Sequence, residues 1–502
     1  MTSTPSHTGP AGAATGAPVG DPRRWAGLAV LSASLIVVVM DMTILNVALP
    51  DLARDLGVGA VAQLWIVDAY ALVLAGLLIP VAALADRWGR RRMLLLGYAI
   101  FALASTLVLF ADSAAAVIAL RAGLGIGGAM IMPATLSLIR ALFPDPHERA
   151  FALSIWAAMA GAGSAAGPVV GGALLEAFSW HAAFLVNVPL MLVGIAAGLW
   201  LLPESRSDRP GVIDPAGVVL SVGGMTAVVY AVKHLGKYGA DPLTLVILTA
   251  GVLAMTAFVR RCLHQPDPML AVRLFAVPGF RAGVLTALTS ATVMMALLFV
   301  GSQWLQLVQG WSPLIAGVAL LPMALGGLVG SPMAPALAAR VGLRTMLVGG
   351  LVVLASGLLV IGLLPHPLPY VGVAVGLLLV GFGTAALGLG SALIMGSAPT
   401  HQAGSAAAVE EMSYEIGAVL GVALLGSLAG IVYRHGLPDS ASPAAVGALA
   451  GALGSPSAGA AMASFTEAVS AVGLAGGVLT LLAAVVVWRS IPPSLELADL
   501  AH

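Results

Sequence analysis

Six ionisable side chains stand inside long apolar runs of this chain: Asp41, Asp68, Arg121, Glu410, Glu411 and Glu415. An ionised group at the centre of a bilayer costs at least about 2.5–3.5 kcal/mol on insertion scales, so such groups mark function by default. They fall into two sets. Asp41, in MDMTILNVALP (40–50), groups with Asp68 and Arg121. Two carboxylates and a guanidinium compensate in part and leave about one negative charge. The second set lies in AAAVEEMSYEIG (406–417). Glu411 and Glu415 are four residues apart and share a helix face, whereas Glu410 falls four before Tyr414. Three acids with no base in the same run cannot all be ionised cheaply. They are candidates for exchanging protons against a cation. Carboxylates beside ring faces suit an organic cation, through Coulomb attraction and cation–π contact. Trp65, Trp304 and Tyr414 could supply rings, with Gln303 and Gln306 flanking Trp304. The competing readings are a purely structural ion pair for Arg121, a hydrogen-bonding role for Asp68, and ordinary packing for each aromatic.

The elements that hold these groups must be membrane spans. Sixty per cent of the 502 residues are hydrophobic and 9% are charged, where a soluble domain carries about a quarter charged. Mean hydropathy is +1.03. A net charge of zero argues against a nucleic-acid partner. The single cysteine, Cys262, excludes an internal disulfide and a cysteine-based metal cluster. Lysine occurs only at Lys233 and Lys237, and with abundant Ala and Gly this suggests a GC-rich bacterial genome.

A span needs roughly 20 apolar residues. Fourteen are predicted, at 25–49, 62–84, 93–111, 115–142, 151–177, 181–202, 215–235, 242–259, 282–306, 313–337, 345–364, 369–397, 405–433 and 465–488. An even number puts both termini on one side. With that side cytoplasmic, only Arg54, Lys233, Lys237 and Arg434 of the 22 basic residues fall towards the outside, and only Arg121 lies deep within a span, Arg140 and Lys233 standing near the ends of theirs. This asymmetry is what the positive-inside rule requires. The expected location is the bacterial plasma membrane. Asp41, Asp68 and Arg121 then lie at one level, on the order of 9–14 Å below the outer boundary.

One internal repeat is visible. ALADRWGRRRMLLLG (83–97) matches ALAARVGLRTMLVGG (336–350) at nine of fifteen positions. Both join spans on the cytoplasmic side, so two six-helix halves are duplicated in one orientation. This is a plan of alternating-access transporters, with the site between halves near the midplane. The expected organisation is a disordered cytoplasmic tail (1–22), an N-terminal bundle (23–205), two inserted helices (206–262), a C-terminal bundle (263–490) with an outer loop (434–463), and a cytoplasmic tail (491–502).

Gly163, Gly167 and Gly171 recur every four residues in span 5, with Pro168 and Gly172. This is a face that lets helices approach closely, with a proline kink. Gly123, Gly125 and Gly128 satisfy G-x-G-x-x-G, but in a membrane helix with no preceding strand, so a nucleotide fold is not implied. No P-loop, zinc-protease or serine-hydrolase motif occurs. An ATP-driven pump and an enzyme are therefore disfavoured, and no cofactor or metal is expected. A channel is disfavoured because the acids are scattered and no filter-like loop appears.

These segments resemble a known family. Met40–Thr43 to Pro50 is similar to the span 1 signature of fourteen-span drug:proton antiporters of the major facilitator superfamily, the EmrB/QacA type. LADRWGRRR (84–92) resembles the superfamily's loop 2–3 motif, and Gly163 to Gly172 the antiporter motif. LWIVDAYALVLAG (64–76), SWHAAFLVNVPL (179–190), LLPES (201–205) and Asp267–Phe275 resemble the QacA/SmvA branch, as does the 406–415 cluster. The resemblance covers nearly the whole chain after residue 22. It implies an all-α major facilitator fold and proton-coupled export of lipophilic cations such as quaternary ammonium compounds and dyes. Asp41, Asp68, Glu410, Glu411 and Glu415 occupy the family's acidic positions. Asp86, Arg87, Gly89 and Arg90 would form an inner gate. Two positions depart from the pattern. Gly326-Gly327 stand in span 10, where QacA itself carries a further acid linked with divalent cations, which puts those substrates in question. Leu124 stands where many members have Gln. The alternative reading is an exporter of one antibiotic made by the same bacterium. A channel or a transport-dead sensor comes behind both.

Overall fold

The computed structural model describes residues 23–206, 214–238, 241–265, 268, 270, 272–398 and 403–492. The expected tail 1–22 and residues 493–502 of the second tail lie outside these. Among the described residues there are helices and connections but no strand.

The helices follow the apolar runs. They are α1 (Arg23–Asp55), α2 (Ala60–Trp88), α3 (Arg90–Leu107), α4 (Ala114–Leu142), α5 (Pro146–Ala177), α6 (Asn187–Leu201), α7 (Pro215–Tyr238) and α8 (Pro242–His264). α9 (Pro278–Gln303) runs on into a π turn, Trp304–Val308. α10 has two pieces, Pro313–Ala319 and Leu321–Val341. α11 is Leu343–Leu363, and α12 comprises Tyr370–Gly383 and Ala385–Gly396. α13 joins Ala403–Leu420 to Ser427–His435 through a π turn, and α14 is Ala458–Ser490.

Thirteen described stretches are long and apolar enough to cross a membrane. The remaining expected span, 151–177, is the 32-residue α5, part of whose side chains lie outside the described set. Most helices run a few residues past the predicted spans, and the largest shift at a helix start is near the C-terminus. α14 begins at Ala458 rather than 465, because AGAAMA is a good helix former that continues the apolar run outward. The outer loop is correspondingly shorter and carries a short helix, Pro443–Gly447.

The repeat governs the packing. α1 packs on α5 and α6, α2 and α3 on α4, and α3 on α6. In the second half α9 packs on α13 and α14, α10 and α11 on α12, and α11 on α14. These are the same partnerships displaced by eight helices. The repeated loop is duplicated down to its backbone. Gly89 and Gly342 end α2 and α10 with φ of 117° and 85°. Both values lie in a region that only glycine enters readily. α7 and α8 form a hairpin that packs on α2 and α13.

Across the halves, α2 packs on α13 and α5 on α10, a pair related by the same duplication. The halves also touch near the C-terminal end of α1 and the start of α10. There a Cβ on Gly172 would sit 2.5 Å from Leu314 Cα, and one on Gly317 would sit 2.1 Å from the Pro168 carbonyl oxygen. Ser302 donates to the Asn46 carbonyl at 2.7 Å, and Gln306 to the Val47 carbonyl at 2.9 Å.

Candidate functional site

The site is built where α1, α2, α4 and α6 of one half face α13 of the other. The approach of α5 to α1 sets its wall. A Cβ on Gly167 would lie 1.9 Å from Thr43 Oγ1, and one on Gly163 would lie 2.8 Å from the Ile36 carbonyl oxygen. Gly171 meets Ile44 in the same way. The glycine face of α5 therefore clasps the segment of α1 that carries Asp41, and Gly172 and Pro168 carry the contact on to α10.

Asp41 and Arg121 form an ion pair at 2.6 Å, and each side chain is 1% exposed. The other Asp41 oxygen accepts a hydrogen bond from Asn187 Nδ2 at 2.7 Å. Arg121 Nε donates to the Ile66 carbonyl at 3.2 Å, two residues before Asp68. The Arg121 guanidinium carbon lies 4.6 Å from the centre of the Tyr70 ring. Asp68 is buried and shares a small cavity with Met42, Tyr70, Arg121, Met295 and Ala418. Its space for water centres is about 10 Å³, room for about one water.

The second acidic set comes from α13. Its helix begins at Ala403, so all three glutamates are helical rather than in a loop. Glu415 is buried, and its Oε2 has no hydrogen-bond partner among the described residues. It lies within electrostatic reach of Glu411 and of Arg121. Tyr70 is within such reach of Asp41, Arg121, Glu411 and Glu415 together. Acids of both halves thus converge on one ring. Glu410 diverges and takes a hydrogen bond from Ser391 of α12.

The remaining expected residues lie elsewhere. Trp65 faces α7, with its ring 6.3 Å from that of Tyr230. Trp304 is buried in the apolar core, while Gln303 lines an outer cavity with Gln63 and Arg434. Gln306 serves the contact with α1. Tyr414 is partly buried beside Glu410 and Glu411. Of the expected gate, the Asp86 side chain lies outside the described residues. Arg87 is exposed. Arg90 donates through its backbone to the Ser205 carbonyl at 2.9 Å and through Nη1 to Ser205 Oγ at 3.3 Å. A Cβ on Gly89 would lie 2.4 Å from the Glu204 carboxylate, which also accepts from the Arg91 backbone at 3.2 Å. These bonds dock the loop onto the residues that follow α6 in its own half.

Asn187 and Tyr70 lie within the segments 179–190 and 64–76, but nothing about their charge marks them as site residues. A neutral amide at the head of an apolar run, and a tyrosine two residues after an intramembrane acid, were the available signals.

The family model described as Major Facilitator Superfamily matches residues 31–422. The chain is 42% identical over 440 residues to the multidrug efflux pump LfrA of Mycolicibacterium smegmatis, covering 86% of each protein. It is 37% identical to the methyl viologen resistance protein SmvA of Salmonella typhimurium, over 81% of this chain and 82% of that protein. It is 35% identical to the puromycin resistance protein pur8 of Streptomyces alboniger, over 84% and 86% respectively. Among solved structures it resembles a bacterial homologue of the human lysosomal transporter Spinster in an inward-facing, unoccupied conformation. That match has a TM-score of 0.64 and 18% identity, over 94% of this chain and 98% of the other.

Proposed function

The chain belongs to the Major Facilitator Superfamily, and on that premise we propose that it is a proton-coupled efflux antiporter exporting lipophilic cationic drugs by alternating access. The observation that carries this reading is that Asp41 and Glu415, one from each half, both lie within reach of Arg121 and Tyr70, with Glu411 in reach of Tyr70 as well. Acids held between duplicated halves can be offered to either side in turn.

The roles divide by hydrogen bonding. Both oxygens of Asp41 are already engaged, by Arg121 and Asn187. Asp41 is the proton site, and protonating it loosens Arg121. Glu415 keeps an oxygen without a partner among the described residues. With Glu411 it attracts the cation, and Tyr70 and Tyr414 offer ring faces. A proton arriving from outside neutralises the acids and releases the cation. Proton loss to the cytoplasm restores the attraction. Moving one charge across 100 mV is worth about 2.3 kcal/mol, so exporting one monovalent cation against that potential needs at least about one entering proton. Both termini would be cytoplasmic, in a bacterial plasma membrane.

The deciding experiment measures dye efflux with a full proton gradient and after its collapse. An antiporter stops on collapse; a channel does not. A second reading is a dedicated self-resistance exporter, favoured by the puromycin resistance relative. A drug-susceptibility panel in an efflux-deficient host separates the two, since a dedicated exporter protects against one compound class only.

A further inference from the structure

A second cavity lies away from the acidic cluster, with about 250 Å³ of space for water centres. Four helices line it, through Gly76 of α2, Met225 of α7, Met255 and Phe258 of α8, and Met412 and Ile416 of α13, and the connection between α8 and α9 closes it with Leu270 and Phe275. Exposed Val259 completes one edge, so the cavity opens on the lateral surface. All of its accessible lining is apolar.

Three features say what fits there. First, the cavity straddles the two halves, because α2 belongs to one and α13 to the other. Second, its α13 residues are sequence neighbours of the acids. Met412 follows Glu411, and Ile416 follows Glu415. Glu411 and Glu415 stand on the same turns of α13 but about 100° round the helix from these two residues, so an occupant with its apolar arm in the cavity has to turn its positive head round α13 to reach them. A phospholipid chain in the cavity would leave its headgroup at the membrane surface and offer these acids no counter-charge. Third, the depths agree. Gly76 and Phe258 each lie about 24 Å along inward-running helices, while Met225 and Met412 lie about 14–15 Å along outward-running ones. All four positions meet at the inner leaflet, where a lipophilic cation that has entered the cell partitions. Three methionines from three helices also form an adaptable wall for arms of different shape.

We infer that the two inserted helices build a lateral subsite that receives the apolar arm of an amphiphilic cation from the inner leaflet while Glu411 and Glu415 hold its charge. This rests on the efflux reading above. It assigns α7 and α8 a part in recognition, beyond bracing α2.

The test uses the full chain in everted membrane vesicles, with dodecyltrimethylammonium and compact tetraethylammonium as probes. Met225→Trp and Met255→Trp each fill the cavity. The ratio of long-chain to compact transport should fall about tenfold, the loss for about two excluded methylenes. An unchanged ratio overturns the subsite. If wild type moves neither cation, the efflux reading itself has failed, which is a separate and recognisable result. A binding measurement guards against misfolded variants. Tryptophan emission gained in Phe258→Trp should be quenched by a bromoalkyl trimethylammonium and restored by the unbrominated cation. Quenching by brominated phospholipid chains that the cation does not displace would show a lipid occupant and overturn the proposal.

Discussion

Arg121 and Asp41 meet at 2.6 Å, from helices α4 and α1, with both side chains sealed from solvent. Asn187 closes the remaining oxygen of Asp41 from α6. Glu415, facing this pair from α13, lacks such completion at Oε2 among the described residues. The two carboxylates therefore differ in what they can release. Asp41 gives up an ion pair on protonation, whereas Glu415 can accept a new cationic partner directly.

Asp41→Asn should abolish gradient-driven dye efflux while leaving energy-independent exchange of labelled substrate measurable. It removes the proton site but keeps the amide-sized group that packs against Arg121. Arg121→Ala should lose both activities and about 3–5 kcal/mol of stability, because it strands a buried carboxylate. Normal efflux by Asp41→Asn at full gradient would refute the coupling role.

Glu415→Gln and Glu411→Gln should weaken equilibrium binding of a fluorescent monovalent cation by about tenfold or more, the effect of roughly 1.4 kcal/mol. Glu410→Gln should cost much less, because Glu410 is turned to Ser391. Equal losses at all three positions would contradict the division of roles.

Gly167→Ala places a methyl 1.9 Å from Thr43 Oγ1. The predicted cost is about 1–3 kcal/mol, as for other overpacked contacts, visible as a lower melting temperature in detergent. Thr43→Ala should recover part of it by removing the hydroxyl. Gly161→Ala is the control, since nothing lies within 4 Å of its Cβ position. If all three melt alike, the close approach of α5 to α1 has no energetic weight.

Asp214 holds the inner end of the inserted hairpin. It takes two hydrogen bonds from Arg261, at 2.5 and 2.9 Å, and one from Gln265 at 3.1 Å. The Arg261 hydrogen bonds foremost, with those of Gly217 and Gln265, hold its carboxyl down at about 2, below the ordinary 3.8. A lowered folded-state value means the contribution is complete above the ordinary value and is lost as pH falls through about 2. Melting temperature between pH 4.5 and 8 should therefore be insensitive to this pair. Asp214→Asn should lower it by a similar amount throughout that window. A difference between Asp214→Asn and wild type that vanished at pH 4.5 would show the lowered value to be wrong.

The spans, the acids they bury and the duplicated loop were legible in the sequence, because each is a property of one segment. Hydropathy marks a helix that must sit in lipid. A charge inside such a helix stands out without knowledge of its neighbours. The matching turns at Gly89 and Gly342 follow from glycine spacing alone. Partnership was not legible. Depth along the helices put Asp41 and Asp68 level with Arg121, but depth carries no information about rotation around a helix axis. That rotation is set by packing, through the contacts of Gly163, Gly167 and Gly171 with α1. Packing aims Asp41 at Arg121 and Asn187 and sends Trp65 to Tyr230. It also docks the Arg90 loop on Ser205. The sequence by itself determined which groups had to be compensated inside the membrane. Only the tertiary structure decided by which partner, because an ion pair depends on distances of a few ångströms between segments far apart in the chain.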